Sequence, residues 1–235
     1  MKQRIFWACL ILLVTGFVAC NSNKDDSAIP DTSSNINVFI AVQGAQYDIS
    51  IDTTFIGSNI GAGESTGYKS FRAQRYTLNI YPAGNHTTPV GSGQISMRND
   101  YHYSVFLSRD HNGVLRLVAV QDLLTAPDAH SSKIRIVNLS DTYGSSAESV
   151  NLDFTVADLA DTTRFKNLNY LSITAFTPIV GGSHDLHINY ADSSLSLIGK
   201  NESSFTVPDG KISSFIVYGN ALKADSFKLV EFKHN

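Results

Sequence analysis

From Ile36 onward, apolar and polar residues alternate with a period of two along most of the chain. The first half contains the segments "INVFIAV", "QYDISID", "YTLNIY", "YHYSVFL" and "VLRLVAV", which are separated by "PAGN", "RND" and "SRDHNG". Alternation is typical of half-buried β-strands, and Gly, Pro, Asn and Asp are the residues that tight turns favour. Because no window has a sustained helical repeat, the pattern predicts an all-β body.

The stretch "QDLLTAPDAHSSK" interrupts this alternation, and Pro127 with its small polar neighbours is typical of a domain boundary. The alternation then resumes in "KIRIVNLS", "VNLDF", "YLSITAF", "HDLHINY", "SLSLIG", "SSFTV", "KISSFIVYG" and "FKLVEF". We therefore predict a first β-sandwich domain at residues 36–124, a linker at 125–132 and a second β-sandwich domain at 133–235. Within the second domain, "ADLADTTRFKN" is predicted to be an excursion with a short helix.

A weak internal repeat relates the two halves. Three alternating positions of "RYTLNIY" have counterparts in "HDLHINY" 108 residues later, and the next two strands correspond at a shift of 110. The matched positions are Tyr76, Leu78 and Ile80 with His184, Leu186 and Ile188, then Ile95 and Met97 with Phe205 and Val207, and Val105 and Leu107 with Phe215 and Val217. The repeat predicts duplication of one unit, hence two tandem antiparallel β-sandwich domains of immunoglobulin-like type.

Composition supports folded domains and argues against one class of partner. The chain has 235 residues, 43% of them hydrophobic and 17% charged, which suffices for two compact cores. The formal net charge is −3, and no run of Lys or Arg is interleaved with aromatic residues. An acidic body repels phosphate backbones, so we predict no nucleic-acid partner.

The N-terminus has the features of a secretory signal. Lys2 and Arg4 precede "IFWACLILLVTGFVA", an apolar segment of 15 residues, whereas a membrane-spanning helix needs about 20. We predict that residues 1–19 are a signal peptide. The motif "FVAC" resembles the lipobox of bacterial lipoproteins, which implies that Cys20 is acylated and becomes the new N-terminus. The alternatives are an ordinary signal peptide with an incidental cysteine, or a signal anchor.

Residues 20–35 are predicted to form a flexible tether that follows the lipidated cysteine, because they are polar and lack hydrophobic periodicity. Within this tether, Lys24, Asp25 and Asp26 resemble the export signal of surface lipoproteins in Bacteroidota-type bacteria. The resemblance implies a location on the outer face of the cell outer membrane, with the membrane itself as a partner through the lipid. The only other cysteine, Cys9, lies in the segment that would be removed, so no disulfide is expected.

The first domain resembles the bacterial family known as domain of unknown function 4397. The resemblance is carried by "NVFIAV", "YDISIDTTFIGSNIGAGESTGYKSF" and "YTLNIYPAGNHTTPVGSGQISMRNDYHYSVFL", which cover most of residues 36–124. The second domain shows only "KIRIVNLS" and the stretch from "HDLHINY" through "KISSFIVYG", and it lacks the "PAGN" turn. The family implies a β-sandwich, and some members are thought to be adhesins, but it supplies no catalytic residues.

Motifs of catalysis or metal binding are missing from the sequence. The glycines of "GSNIGAGESTG" are not followed by Lys-Ser/Thr or by a helix, so they are predicted to form turns or bulges. His184 and His187 are three residues apart on a strand and would point to opposite faces, and Asp110 to Gly113 fit a hairpin turn better than a calcium loop. There is no G-x-S-x-G motif. We therefore predict no catalytic residues, no metal site, no cofactor and no enzymatic activity.

Two tyrosines are candidates for stacking against a ligand. Tyr81 comes directly after Ile80, so on a strand it should point to the face opposite Leu78 and Ile80, away from the core. Tyr190 is predicted to point outward in a similar place in the second domain. The sole tryptophan, Trp7, lies in the predicted signal peptide, so a binding surface would have to use tyrosine.

These features together predict a lipid-anchored cell-surface protein that acts as a non-catalytic adhesion or assembly module. Its partner would be an unknown surface protein or a glycan. The alternative is a glycan-binding lipoprotein of a polysaccharide-uptake system, in which Tyr81 or Tyr190 stacks on a sugar ring.

Overall fold

The computed structural model describes residues 31–143, 149–157, 162–191, 203–223 and 225–235, and secondary structure in these ranges consists of strands and turns. Residues Thr32–Asn235 form one compact unit. The predicted signal peptide, Cys20, Lys24, Asp25 and Asp26 lie outside the described residues, as does the predicted strand "SLSLIG".

The first eight strands form two four-stranded sheets, which we call the first body. These strands are β1 (Ser34–Ile40), β2 (Tyr47–Ile51), β3 (Thr54–Ile60), β4 (Lys69–Phe71), β5 (Arg75–Pro82), β6 (Gly91–Ser96), β7 (His102–Arg109) and β8 (Leu115–Asp122). Sheet 1 has the order β3-β2-β5-β6, and sheet 2 has the order β4-β1-β7-β8.

The remaining strands form the second body, which follows after the connection at residues 123–130. These strands are β9 (Ser131–Leu139), β10 (Leu152–Ala157), β11 (Thr162–Leu168), β12 (Ser172–Ile173), β13 (Thr177–Val180), β14 (Gly182–Tyr190), β15 (Ser203–Val207), β16 (Ile212–Tyr218) and β17 (Lys228–Lys233). Sheet 3 has the order β12-β9-β16-β17, with β13 also paired to β9, and sheet 4 has the order β11-β10-β14-β15.

The two bodies repeat one topology, as the weak sequence repeat predicts. In the first body Tyr76 of β5 lies opposite Ile95 of β6, and in the second body His184 of β14 lies opposite Phe205 of β15. These are the residues that correspond at shifts of 108 and 110. The chain therefore consists of two β-sandwich-like bodies with matching strand order.

Two features of the predicted fold are wrong. The sheets are not wholly antiparallel, because β1 runs parallel to β7 and β9 runs parallel to β16. Parallel neighbours need a crossover, and the intervening strands of each body supply it by passing through the opposite sheet. The short helix expected in "ADLADTTRFKN" is also not formed by its described part, because Thr162–Leu168 is β11 and pairs with β10.

Each body has its own apolar core between its two sheets. The first core contains the inward residues of β1, β2, β5 and β7, among them Val38, Ile49, Ile80 and Leu107. The second core contains the corresponding residues of β9, β10, β14 and β16: Ile134, Ile136, Leu152, Phe154, Val156, Leu186, Ile188, Phe215 and Val217. Each such side chain contributes about 1.5–3 kcal/mol when fully buried, so each core stabilises its own body.

A third apolar cluster joins the two bodies. It consists of Phe39 and Phe106 from sheet 2, Ala41 directly after β1, and Val137, Leu139, Ile216 and Tyr218 from sheet 3, all of them buried. Phe39 and Phe106 alternate along their strands with residues of the first core, so the strands that carry them are buried on both faces. The four sheets consequently form a stack in the order 1, 2, 3, 4.

A closed ring of polar side chains lies in the same interface. Arg135 is 1% exposed, and its Nη2 atom is 2.7 Å from Oδ1 of Asp122 in an ion pair. The Nε atom of Arg135 donates to Oγ of Ser214 at 2.7 Å, and this hydroxyl is 2.7 Å from Nε2 of His234. Nδ1 of His234 is 2.7 Å from the hydroxyl of Tyr68, which donates to Oδ2 of Asp122 at 2.6 Å.

The Asp122 carboxylate and the charge state of His234 determine the direction of the hydrogen bonds in this ring. A carboxylate can only accept, so Tyr68 donates to Asp122, and the Tyr68 oxygen must accept from Nδ1–H of His234. Burial lowers the pKa of His234 from 6.5 to about 4, against the opposing attraction of Asp122, so His234 is neutral near pH 7. Its Nε2 atom then carries no proton and accepts from the Ser214 hydroxyl.

We expect Asp122→Ala to lower the free energy of unfolding by about 3–5 kcal/mol, because it leaves the Arg135 charge buried without its partner. Urea denaturation followed by circular dichroism measures this loss. Lys233→Ala is the matched control, since the Lys233 side chain is 67% exposed and lies 3.9 Å from Glu231, so its loss should cost less than about 1 kcal/mol. The double variant Arg135→Met, Asp122→Leu should lose less than Asp122→Ala alone, and a larger loss would contradict this account.

We expect the ring to make stability depend on pH. Between pH 6.5 and 4 the unfolded chain binds a proton at His234 that the folded chain does not, so stability falls as the pH falls. Between pH 7 and pH 5 this group should account for a loss of about 2 kcal/mol. The comparison is with His234→Gln, whose amide can make both hydrogen bonds without titrating. Equal pH dependence of the two proteins would show that His234 is not the responsible group.

Candidate functional site

The outer face of sheet 1 carries one of the two predicted stacking residues. Leu78 and Ile80 of β5 are buried in the first core, whereas Tyr81 is partly exposed and lies opposite Asp48 of β2. Since successive side chains of a strand point to opposite faces, Tyr81 lies on the side of the sheet away from the core. The predicted outward orientation of Tyr81 is confirmed.

Tyr81 belongs to a cluster of three rings, which we call the aromatic patch: Phe55, Tyr81 and His86. The ring centroids are 6.1 Å apart for Phe55 and Tyr81, 4.3 Å for Phe55 and His86, and 5.7 Å for Tyr81 and His86. Phe55 is 45% exposed, and the side chain of His86 is 47% exposed. An exposed phenylalanine beside two other rings is an apolar surface that can stack against a ligand.

A buried carboxylate beneath the patch holds His86 in place. Oδ2 of Asp48 is 2.7 Å from Nε2 of His86 and accepts from the backbone amide of Gly84 at 2.8 Å, while Oδ1 accepts from the amide of Asn59 at 2.7 Å. Burial alone would raise the pKa of Asp48, but these two amides and His86 together hold it below its usual value. The carboxylate therefore stays ionised at neutral pH and orients the ring.

The "PAGN" turn brings His86 over the sheet. Gly84 has a φ of +76°, and a Cβ atom there would meet nothing within 4 Å. The glycine is therefore needed for its left-handed backbone and not for lack of space. This conformation directs the Gly84 amide to Asp48 and places His86 beside Phe55.

Polar side chains adjoin the aromatic patch on the same outer face. Asn79 pairs with Ser92 across β5 and β6, and the Ser92 hydroxyl donates to Oδ1 of Asn79 at 2.9 Å. Thr77 and Gln94 form the next outward pair along these strands. Rings beside neutral amides and hydroxyls can contact both the C–H faces and the hydroxyl groups of a sugar.

The predicted outward place of Tyr190 is wrong. Tyr190 lies on the same side of β14 as Leu186 and Ile188, opposite Leu152 of β10, and packs against the second core. Burial raises the pKa of its hydroxyl. At the offset of 108 residues between the two repeats, the residue that corresponds to Tyr81 is Asn189 and not Tyr190. The role of Tyr190 in ligand stacking stays a prediction without geometric support.

The corresponding outer face of sheet 4 has a different chemistry. The outward residues of β14 are Asp185, His187 and Asn189, in place of Thr77, Asn79 and Tyr81 of β5. The described outward residues of β14 therefore do not repeat the tyrosine of the aromatic patch, which belongs to the first body. The duplicated units have diverged on their outer faces.

Several smaller predictions about turns and histidines are confirmed. Asp110 accepts from the amides of Asn112 and Val114 at 3.0 and 2.9 Å, which closes the hairpin between β7 and β8. His184 is buried, and its ring lies near Phe205. His187 comes directly after the inward-pointing Leu186 and lies opposite Thr155, so the two histidines point to opposite faces of the sheet.

The glycines of "GSNIGAGESTG" also behave as predicted. Gly57 lies in β3 where the register with β2 shifts, and Gly63 and Gly67 have φ values of +84° and +65°. They form a bulge and turns, as expected of glycines at such positions.

Within the described ranges, no group of three or more His, Cys, Asp or Glu side chains is placed to hold a metal ion. In this same part of the chain, no helix has the length and apolar character that crossing a membrane would require.

Sequence reasoning missed Phe55 and His86. Phe55 follows the two-residue turn after β2, and its side of the sheet depends on two register shifts between β2 and β3 that alternation does not reveal. His86 lies in a loop, where strand periodicity carries no information. The one usable signal was the "PAGN" turn directly before His86, which indicates a chain reversal next to Tyr81.

Several solved structures were found to be similar to this chain, but only distantly. The Bacillus anthracis TIE protein is 13% identical, with a TM-score of 0.24, and the match covers 80% of this chain and 33% of that protein. A leucine-rich repeat protein from Bacteroides thetaiotaomicron is 12% identical, with a TM-score of 0.22 and coverage of 78% and 25%. CBMbc, of family CBM26, from Eubacterium rectale Amy13K in complex with maltoheptaose is 12% identical, with a TM-score of 0.23 and coverage of 86% and 96%.

The chain thus spans about a third of the first of these structures and a quarter of the second. At such low TM-scores, the likenesses support no argument about this protein. No curated protein sequence matches the chain significantly.

A family model does match the N-terminal half of the described chain. Its description is "Domain of unknown function (DUF4397)", and it matches residues 34–145. This range contains all eight strands of the first body and β9 of the second. Residues 34–145 therefore carry a DUF4397 domain.

Proposed function

We propose that this protein is a non-catalytic adhesion module of the cell surface and that its ligand is a neutral carbohydrate. The observation that carries this proposal is the aromatic patch on the outer face of sheet 1. Attachment to a glycan-bearing surface and capture of a polysaccharide for uptake would use the same site.

The patch suits a sugar because it combines an apolar surface with neutral polar groups. Phe55 and Tyr81 offer ring surface to the C–H groups of a pyranose, and Asn79 and Ser92 offer an amide and a hydroxyl nearby. The one carboxylate beneath the patch, Asp48, is buried and hydrogen-bonded to His86 and two backbone amides. A neutral ligand therefore meets no unpaired charge at this surface.

The patch is also held rigidly before a ligand arrives. His86 is fixed by Asp48, and Asp48 is fixed by two backbone amides. Phe55 and Tyr81 are carried on paired strands of sheet 1, whose inner face is the first core. Less conformational entropy is lost on binding when the contacting groups are already ordered.

We propose further that the protein is attached to the outer membrane through acyl chains on Cys20. The support is the sequence: the lipobox-like "FVAC", the apolar segment before it and the polar tether at residues 20–35. Lys24, Asp25 and Asp26 favour export to the outer face in a Bacteroidota-type cell. Two or more acyl chains suffice for durable attachment, since each buried methylene contributes about 0.8 kcal/mol. Each body would serve as an immunoglobulin-like sandwich that displays its loops and outer faces.

We expect Phe55→Ala and Tyr81→Ala each to weaken binding of a neutral polysaccharide about tenfold or more, because each removes ring surface that the sugar would cover. A glycan array identifies the polysaccharide, and affinity electrophoresis measures the change. Val180→Ala is the matched control, because Val180 is 52% exposed on the second body. Saturable binding to no neutral glycan, or equal binding by all four proteins, would reject the carbohydrate proposal.

We expect Cys20→Ala to move the protein from the membrane fraction to the soluble fraction, because the thiol is the attachment point for the acyl chains. Fractionation of the native host followed by immunoblotting measures the distribution. The matched control replaces Lys24, Asp25 and Asp26 by alanine, which should leave the protein in the membrane fraction. A Cys20→Ala protein that still sediments with lipid would contradict the anchoring proposal.

A further inference from the structure

A hollow lies at one end of the interface between sheets 2 and 3. The four strands that are buried on both faces, β1, β7, β9 and β16, all end there, and the segments that follow them line the hollow. We call it the junction cleft. Its main lining residues are Gln43, Arg109 and His111 from the first body and Asp141, Tyr143, Asn220 and Lys223 from the second. Its volume is about 390 Å³, within the range of sites that hold small ligands.

Contacts between the two bodies hold the walls of the junction cleft. Nε2 of Gln43 donates to the carbonyl of Ser226 at 2.6 Å. The backbone amide of His111 donates to Oδ2 of Asp141 at 2.6 Å, and Nδ1 of His111 is 2.8 Å from the same oxygen. The rings of His111 and Tyr143 are stacked, with centroids 3.8 Å apart and planes 11° from parallel. The cleft is therefore a built site with aromatic groups in its wall.

Both carboxylates of the junction cleft are already satisfied. Asp110 makes two contacts with Arg116, at 3.0 and 2.8 Å, and accepts from two backbone amides of its own hairpin. Burial would raise the pKa of Asp110, but the Val114 amide and Arg116 hold it below its usual value. Asp141 accepts from the amide and ring of His111, in both cases at Oδ2. Arg116 balances the charge of Asp110, and two further cations in the cleft stand against the single charge of Asp141, so one net positive charge remains with histidine counted as neutral.

Those two cations are Arg109 and Lys223, and both are exposed. Arg109 makes one side-chain hydrogen bond with the described residues, from Nη2 to the Tyr47 hydroxyl at 3.3 Å. Lys223 makes no ion pair with any described residue. Arg109 comes from the end of β7 and Lys223 from the loop after β16, so each body contributes one positive charge. The junction cleft consequently favours an anion.

We propose that the junction cleft binds the carboxylate of an acidic sugar, such as a hexuronate unit of a polysaccharide. Arg109 and Lys223 would pair with the carboxylate, and charge-assisted hydrogen bonds of this kind are roughly twice as strong as neutral ones. The side-chain amides of Gln43 and Asn220 line the same hollow and would contact sugar hydroxyls. The stacked His111 and Tyr143 rings provide the apolar wall that a pyranose needs and that a small inorganic anion does not use.

This site is independent of the aromatic patch. The two share no residue, since the patch consists of β3, β5 and loop residues on the outer face of sheet 1. Its ligand also differs, because the patch has no unpaired charge and the junction cleft has two. Failure of the neutral-glycan proposal would therefore leave the acidic-sugar proposal standing, and the reverse also holds.

The test is isothermal titration calorimetry of the detergent-solubilised full-length protein with oligogalacturonate, a neutral galacto-oligosaccharide and sodium sulfate. We expect saturable binding of oligogalacturonate that weakens as salt is added, and weaker binding of the other two. Arg109→Gln and Lys223→Gln should each lower the affinity for oligogalacturonate about tenfold. Arg98→Gln and Lys211→Gln, which replace exposed cations outside the cleft, should leave it unchanged.

Phe55→Ala should also leave oligogalacturonate affinity unchanged, which separates this site from the aromatic patch. If Arg109→Gln disturbs folding through loss of its contact with Tyr47, Lys223→Gln carries the test alone, because its side chain makes no ion pair with the described residues. The proposal is overturned if oligogalacturonate does not bind, if Lys223→Gln binds it as the unaltered protein does, or if sulfate binds equally well, which would indicate an electrostatic anion site only.

Discussion

The buried Arg135 guanidinium is the constraint on which the arrangement of the four sheets depends. It lies between sheets 2 and 3, pairs with Asp122 from the first body and donates to Ser214 from the second. A charge in such a place is costly unless its partners are held in position, so any sliding of one body over the other would leave it unpaired. The apolar cluster around Phe39, Phe106 and Ile216 provides most of the buried surface, whereas the polar ring specifies the register of the two bodies.

That fixed register explains how the duplicated units can form a site that neither has alone. The central strands of both bodies end on the same side of the stack. This brings Arg109 at the end of β7, and His111 just after it, next to the loops with Asp141, Tyr143 and Lys223. Hydrogen bonds from Gln43 and His111 cross the boundary there. The aromatic patch, in contrast, needs only one of the duplicated units, since all its residues belong to the first body and lie on the outermost face of the stack.

The two bodies also show which positions of the repeated unit are free to change. Inward positions keep their apolar character, as with Leu78 and Leu186 or Ile80 and Ile188, because each core must be filled. Outward positions of the outer sheets face solvent and carry no such demand. Tyr81 corresponds to Asn189, and the surface that we assign to sugar binding therefore has no counterpart at these positions of the second body.

The sequence by itself determined most strands of the two cores, their inward faces and the duplication, because period-two alternation is a local consequence of where each side chain points. It also determined that Tyr81 faces away from the first core. It did not predict β3 or β4, and it predicted a short helix where β11 lies. The outward prediction for Tyr190 rests on a comparison with Tyr81 and is wrong, although the alternation with Leu186 and Ile188 places Tyr190 on the core side of β14. The sequence did not show that β1, β7, β9 and β16 are buried on both faces, although the nearly unbroken apolar runs "VFIAV" and "FIVY" are typical of such strands.

Only the tertiary structure decided how distant residues meet. Asp122 and Arg135 lie on β8 and β9, which are consecutive in the chain, whereas Tyr68, Ser214 and His234 are distant from them in sequence. The ring that these five residues form exists only when sheet 2 packs on sheet 3. The association of Phe55 with His86 depends on two register shifts and a left-handed glycine turn, and the junction cleft depends on both bodies at once. Local patterns determine which face a side chain takes, whereas contacts between sheets depend on long-range packing that no local pattern encodes.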